Sequence, residues 1–215
     1  MKILIIAATE FELAPLKEYC SSMNMENVDF CIAGVGTVAT TFCLTRKLAD
    51  ETYDLLINIG VCGSFNRDIE LLQVLEITSE VFSDLGIETY KGFTPLYASD
   101  LLDENKHPYN KGRLINDNPI FSDLHKAAGS TSDTCHTSEA NIRRIVEQFA
   151  PDTESMEGAA FFFVAKHLQI PFTQLRAVSN YVGERGEGSW KIKEAIQAVN
   201  RFAIDFLRQK AVTKI

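Results

Sequence analysis

Positions 2–8, KILIIAA, form a continuous apolar run of strand length. A strand with one wet face alternates apolar and polar residues, so an unbroken run suits only the interior of a sheet covered on both sides. DLLINIG at 54–60 makes the same demand. Helical segments separate such runs. Thr9 offers an N-cap hydroxyl ahead of Glu10–Tyr19, where Phe11, Leu13 and Leu16 recur at helical spacing. Val28–Ala33 reads as a second strand, followed by a helix from Val38 to Leu48. The alternation predicts an α/β chain: a three-layer α/β/α sandwich with a mixed central β-sheet. At 215 residues one core suffices, and a single domain over 1–215 is expected.

Composition narrows the function classes. The net charge of −8 argues against a nucleic-acid surface, which needs clustered Lys and Arg. Cys20, Cys31, Cys43, Cys62 and Cys135 are odd in number and make no Cys-x-x-Cys pair, so neither a disulfide framework nor a zinc knuckle is expected. A reducing cytoplasm is the natural compartment for such a chain. The opening apolar run is too short, and too soon followed by acids, for a signal peptide or a membrane span. The four histidines show no ligand spacing such as His-Glu-x-x-His, so no metal is predicted, and His136 receives no catalytic role.

The most informative stretch is 152–183, DTESMEGAAFFFVAKHLQIPFTQLRAVSNYVG. Its helix from about Gly158 to Leu168 is apolar nearly all round and should be buried on several sides. Glu157 stands at the N-terminus of that helix, where the dipole favours an anion. The bland account is a first-turn acid; the functional one is an acceptor for sugar hydroxyls, with Met156 packed on the sugar face. After Pro171, FTQLRAVSN forms a strand ending at Ser179 and Asn180, and strand ends are where open α/β sheets collect ligands.

Glycine-bearing turns supply further candidates. Gly34-Val35-Gly36-Thr37 joins a strand to a helix and suits an anion or ribose loop, because glycines let backbone N–H groups approach a ligand. It lacks the third glycine and the acid of a dinucleotide fingerprint. Gly60, Cys62 and Gly63 follow the 54–60 strand as an expected loop lining a purine or ribose pocket. Residues 67–82 read as a turn and a fourth strand, and 82–118 as a long irregular flap or interface. Within it Phe93 suits either base stacking or a packed core. A strand is expected near 130–135, a helix over Asn141–Phe149, and a C-terminal helix to about Lys210.

SMEGAAF paired with LRAVSN, with the opening MKILIIAATEFELAPL and the middle INIGVCGS, resembles the nucleoside phosphorylase and nucleosidase superfamily. Within it the chain is similar to the hydrolase branch that contains methylthioadenosine/S-adenosylhomocysteine nucleosidase and futalosine hydrolase. The resemblance implies a nucleoside phosphorylase-like fold, a small-molecule purine nucleoside as substrate, no cofactor, no nucleic acid or membrane partner, and a homo-oligomer. Aligned on the shared start, Glu12 falls on the acid that binds and activates the attacking water; read by itself, it is a dipole-satisfying first-turn acid. Val61 stands where the family more often has serine.

Asn180 replaces the aspartate of methylthioadenosine nucleosidases. An amide donates to a 6-oxo group while its carbonyl accepts from N7–H, which matches departing hypoxanthine. Mismatched bases leave buried polar groups unpaired, so discrimination is expected to be large. The 6-oxopurine phosphorylases share the asparagine, but no arginine adjoins the 34–37 turn, and Glu12 repels phosphate. Hydrolysis is therefore expected. SNYVGERGEGSWKI looks like the futalosine hydrolase subfamily of menaquinone synthesis, in which Arg185, Trp190 or Lys191 is a candidate to grip an aryl carboxylate tail. The alternatives are a methylthioadenosine/S-adenosylhomocysteine or aminodeoxyfutalosine nucleosidase, a 6-oxopurine phosphorylase, and a nucleoside-binding protein without turnover.

Overall fold

The computed structural model describes residues 1–90, 92–184, 186 and 190–212. In chain order the elements are β1 (Ile3–Ala7), α1 (Glu10–Ser22), β2 (Val28–Ile32), α2 (Thr37–Asp50), β3 (Leu55–Ser64), β4 (Val74–Glu80), β5 (Gly86–Thr89) and β6 (Gly92–Pro95). A 3-10 turn (Leu96–Ala98) leads to β7 (Leu114–Ile115), β8 (His125–Thr131), α3 (Glu139–Phe149), β9 (Thr153–Ser155), α4 (Gly158–His167), β10 (Phe172–Tyr181) and α5 (Ile192–Val212).

The sheet is mixed, and it folds back on itself. β1 lies parallel between β2 and β3, and β3 pairs parallel with β10. β10 pairs antiparallel with β4, β4 parallel with β8, β8 parallel with β9, and β9 antiparallel with β3. Five strands thus close a ring, with β1 and β2 as a wing. β3 shares one edge between two neighbours: Leu55–Asn58 pair with β1, while only Gly63 and Ser64 meet β9. Over 59–62 neither neighbour covers that edge, and this splitting of strands creates a cleft at their carboxyl ends.

Side-chain alternation along β1 and β3 sorts the core into two layers. Leu4, Ile6 and Leu56 face Leu44 of α2 and Ala159, Phe161 and Phe162 of α4. Ile3, Ile5, Leu55 and Ile57 face Leu13 and Leu16 of α1 and Ala195, Val199 and Ala203 of α5. Helices cover both faces, as the unbroken apolar runs require. Phe161, Phe162 and Phe172 meet edge to face, with Phe162 and Phe172 centroids 4.7 Å apart, and this fastens α4 to β10.

Three expectations need correction. The 60–64 segment is not a loop but the end of β3, because β9 and β10 hydrogen-bond to it. The strand expected near 130–135 is β8, and it ends at Thr131. The 82–118 stretch contains a two-stranded hairpin, β5–β6, in which Thr89 and Gly92 pair. Among the described residues no helix is long and apolar enough to cross a membrane.

A buried carboxylate ties the ring to α4. Glu80 of β4 accepts hydrogen bonds from Gln174 Nε2 of β10 (2.6 Å) and Thr131 Oγ1 of β8 (2.9 Å). Thr131 Oγ1 in turn accepts from the Ala159 N–H in the first turn of α4, at 2.7 Å. Burial pushes the Glu80 carboxyl up to about 7, against the pull of Gln174 and Thr131 on its charged form. The folded chain therefore holds this proton more tightly than the unfolded one. Its stabilising contribution is complete below the unfolded value of 4.5 and is lost as pH rises through about 7. Melting temperature should fall across that window, by the equivalent of roughly 3 kcal/mol at the group. Glu80→Gln should flatten the slope, as a thermal-melt series from pH 4 to 8 would test.

Candidate active site

Glu12 enters the cleft from the first turn of α1. Its Oε2 accepts from the Thr9 N–H at 3.0 Å and the Thr9 hydroxyl at 2.8 Å, which fixes the carboxylate against its own helix start. Oε1 has no hydrogen-bond partner among the described residues. It faces Gly60, where a Cβ would lie 2.9 Å from it and 3.1 Å from Arg176 Nη1. Glu12 is 8% exposed and Arg176 2%. No ion pair joins them, yet both end groups crowd the same bare stretch of backbone at Gly60, one an acceptor and the other a donor.

Arg176 received no role from sequence. It pairs with Gly60 across β3–β10, and its Nε is buried without a partner. The available signal was a charge inside an otherwise apolar strand, since an arginine there needs anionic company. That company is Glu12, Glu157 and Glu80. Burial raises the Glu157 carboxyl above the usual range and the Glu12 charge adds to this, while Arg176 and the Gly36 N–H pull it back.

Glu157 is the N-cap of α4, half-buried, and its Oε1 accepts from the Gly36 N–H at 3.1 Å. The neighbouring Thr37 N–H and hydroxyl donate to Asp133, each at 2.7 Å. The Gly34–Thr37 turn is thus an anion loop whose anions are the protein's own carboxylates. Gly36 sits at φ 90°, with the space beside it taken by Asp133 Oδ1. Gly34, at φ 83°, packs against the Ala39 methyl and so shapes the turn. Met156 precedes Glu157 with its sulfur 3.9 Å from Cys135 Sγ.

At the far end of the cleft Asn180 is 7% exposed. Its Oδ1 accepts from Ser179 Oγ (2.8 Å) and its Nδ2 donates to the Tyr181 carbonyl (3.2 Å). An amide oxygen has two lone pairs and an amide nitrogen two protons, so each atom keeps one position open. A Cβ on Gly63 would come within 3.3 Å of Nδ2, so the bare glycine backbone faces the amide. Asn180 and Gly63 lie a few residues beyond Arg176 and Gly60, about 10 Å along the strands.

Three candidates have other duties. Ser179 is buried, and its hydroxyl is used by Asn180 and by the Cys62 carbonyl (3.2 Å), so it orients the amide. Cys62 points into the apolar cluster shared with α2 and α4, and burial pushes its thiol up to about 12. Phe93 packs beside Val81, Ile145 and Phe149, with the Arg144 guanidinium 4.3 Å from its ring centre. Of the proposed tail contacts, Arg185 lies outside the described residues. Trp190 donates its indole N–H to the Glu184 carbonyl, and the Lys191 N–H donates to the Ser179 carbonyl. Among the described residues no group of three or more His, Cys, Asp or Glu could hold a metal.

A buried acid and a buried guanidinium thus meet at Gly60 in a mixed α/β sheet, with a buried amide farther along the same strands. The family model described as the phosphorylase superfamily matches residues 2–209, and the chain belongs to that superfamily. Futalosine hydrolase of Thermus thermophilus is 28% identical over 173 residues, covering 78% of this chain and 76% of that one. Aminodeoxyfutalosine nucleosidase of Campylobacter jejuni is 26% identical, covering 87% and 89%. A 5'-methylthioadenosine/S-adenosylhomocysteine nucleosidase from Colwellia psychrerythraea, solved with adenine, superposes with a TM-score of 0.78 at 19% identity, covering 97% and 95%. That likeness confirms the nucleoside phosphorylase-like fold.

Gly158 is where site and scaffold meet: a Cβ there would lie 2.0 Å from Glu80 Oε1 and 2.7 Å from Gln174 Nε2. Gly158→Ala should destabilise the fold by about 1–3 kcal/mol or more in urea titration. The movable Cβ environment of Gly92, with nothing within 4 Å, should leave Gly92→Ala with only the smaller cost of its φ of 119°.

Proposed function

We propose that the chain is a purine nucleosidase that hydrolyses the N-glycosidic bond of futalosine, releasing hypoxanthine and dehypoxanthine futalosine without a cofactor. The observation that carries this reading is Glu12, with one oxygen pinned by Thr9 and the other open toward Arg176 across the bare backbone of Gly60. Water between them gives up a proton to Glu12 as its oxygen attacks the anomeric carbon. Glu157 and Met156 hold the ribose. As electrons pass into the base, N7 takes a proton from solvent water, and the open positions on Asn180 accept from that N7–H and donate to the 6-oxo group.

Hydrolysis is favoured over phosphorolysis by charge. Glu12, Glu157 and Asp133 surround the turn where a phosphate needs free N–H groups, and Glu157 and Asp133 already occupy the N–H groups of Gly36 and Thr37. One guanidinium does not offset three carboxylates against a dianion. The second reading, an adenine-releasing nucleosidase, draws on the Campylobacter jejuni relative, which covers more of the chain. It requires Asn180 to serve N7 and a 6-amino group without an ionisable proton.

Incubation with futalosine in phosphate-free buffer should release hypoxanthine, as chromatography of the products would show; release only on adding phosphate overturns the reading. Glu12→Gln should lower kcat about 10²- to 10⁴-fold. Asn180→Asp should shift preference toward 6-amino purines. Gly60→Ala, whose methyl would stand 2.9 Å from Glu12 Oε1 and push that carboxylate aside, should cost roughly a hundredfold in kcat/KM.

The homo-oligomer belongs to the same proposal. Val38 (78% exposed) and Phe42 (64%) on α2 line an apolar groove of about 740 Å³ with Phe82, Leu85, Tyr109 and Phe163. The groove begins at Thr37, which is hydrogen-bonded to Asp133 at the site's rim, and a second copy is the occupant that joins this face to the function. Phe42→Lys should reduce the mass seen by light scattering to that of one chain.

A further inference from the structure

Three successive contacts carry the segment after β8 along the length of the cleft. Asp133 meets the Gly36–Thr37 turn, Cys135 meets Met156, and His136 meets Glu154. The segment therefore runs from the sugar end toward the base end, and His136 is its last member. His136 and Glu154 are both buried and closely joined: the His136 backbone N–H donates to Glu154 Oε1 at 3.2 Å, and its ring Nδ1 is hydrogen-bonded to Glu154 Oε2.

The register places this pair opposite Asn180. Glu154 is the antiparallel partner of Gly63, and directly opposed residues project to the same face of a sheet. Gly63 is also the parallel partner of Asn180, and the place of its missing side chain is taken by Val182 Cγ2 and Asn180 Nδ2, which would lie 2.9 and 3.3 Å from a Cβ there. Asn180 and Glu154 therefore flank a bare strand at about two strand spacings, roughly 10 Å. A flat base held between the two, with its N7 edge on Asn180, turns its N1 edge toward His136 and Glu154.

The chemistry of that second edge follows from the pairing. A carboxylate only accepts, so it fixes the proton of a neutral imidazole on Nδ1 and leaves a lone pair on Nε2. Nε2 has no partner among the described residues, and the side chain keeps 7% of its surface exposed. A 6-oxopurine carries a proton on N1, whereas a 6-aminopurine carries a lone pair there. We propose that the His136–Glu154 pair is a second specificity element for the base, with His136 Nε2 accepting the N1–H of a 6-oxopurine. This deepens the 6-oxopurine reading made from Asn180 and rests on it.

The test uses free bases, so it does not depend on turnover. Calorimetric binding of hypoxanthine and of 1-methylhypoxanthine, which lacks the N1 proton, is compared in the wild type, His136→Ala and Glu154→Gln. N1-methylation should weaken binding to the wild type tenfold or more and should matter little to His136→Ala. In Glu154→Gln the amide donates to Nδ1, moves the ring proton to Nε2, and should raise the affinity for adenine relative to hypoxanthine. A merely structural pair would lower all three affinities together, and that result overturns the proposal. Hypoxanthine binding to the wild type that is indifferent to N1-methylation overturns the pair's role alone. Failure of the wild type to bind hypoxanthine at all overturns the 6-oxopurine reading, and this proposal with it.

Discussion

A carboxylate with no access to water sits under the first turn of α4, and the geometry of the cleft follows from it. Glu80 gathers β10 through Gln174 and β8 through Thr131, and Thr131 hands the connection on to the backbone of α4. The group is close-fitted on both sides by glycine: a Cβ at Gly129 would come within 2.4 Å of it, and one at Gly158 within 2.0 Å. Such a network is costly if one member is missing, because a buried acceptor left unpaired loses its full solvation. Complete, it fixes the height and tilt of α4 over the ring of strands. Glu157 is the N-cap of that helix, so its reach to Gly36 is set by a contact on the opposite side of the helix start.

The second organising force is charge balance in a dry cleft. Arg176 is buried among Glu12, Glu157 and Glu80, and none of them is close enough to neutralise it as a simple ion pair. An arginine held among several acids without pairing to one donates from Nη1 to the Leu175 carbonyl at 3.3 Å and leaves Nε unpartnered. The acids in turn are held apart by other hydrogen bonds, Glu12 by Thr9 and Glu157 by Gly36. The arrangement suits a reaction in which positive charge develops on a sugar and a proton leaves water, because preset dipoles need no reorganisation as the charge appears.

The base end follows a different logic. Asn180 is fixed by its own neighbours, Ser179 and the Tyr181 carbonyl, and the bulge between Val178 and Asn180 shifts its register to face Gly63. A regular strand would have set the amide one position out of phase with that glycine. The small residues in β3 therefore make room for side chains from other elements, Glu12 and Arg176 at Gly60 and Val182 and Asn180 at Gly63, and Cys62 between them packs in the core.

Much of this was legible in the chain itself. The apolar runs at 2–8 and 54–60 required a sheet covered on both faces, and the apolar helix after Glu157 required burial, because a hydrophobic pattern specifies which surfaces must leave water. Glu12 and Glu157 read by themselves as first-turn acids that suit a helix dipole, and it was the family resemblance that singled them out with Met156, while Asn180 stood out at a strand end. Arg176, Asp133, Glu80 and the His136–Glu154 pair stayed hidden, each looking like an isolated charge. Their meaning lies in distances between residues 18 or more positions apart. Local periodicity determines which face of an element is apolar. Only the closing of the sheet, through β9 and the bulge in β10, decides which polar groups meet across the cleft, since that depends on register between strands far apart in the chain.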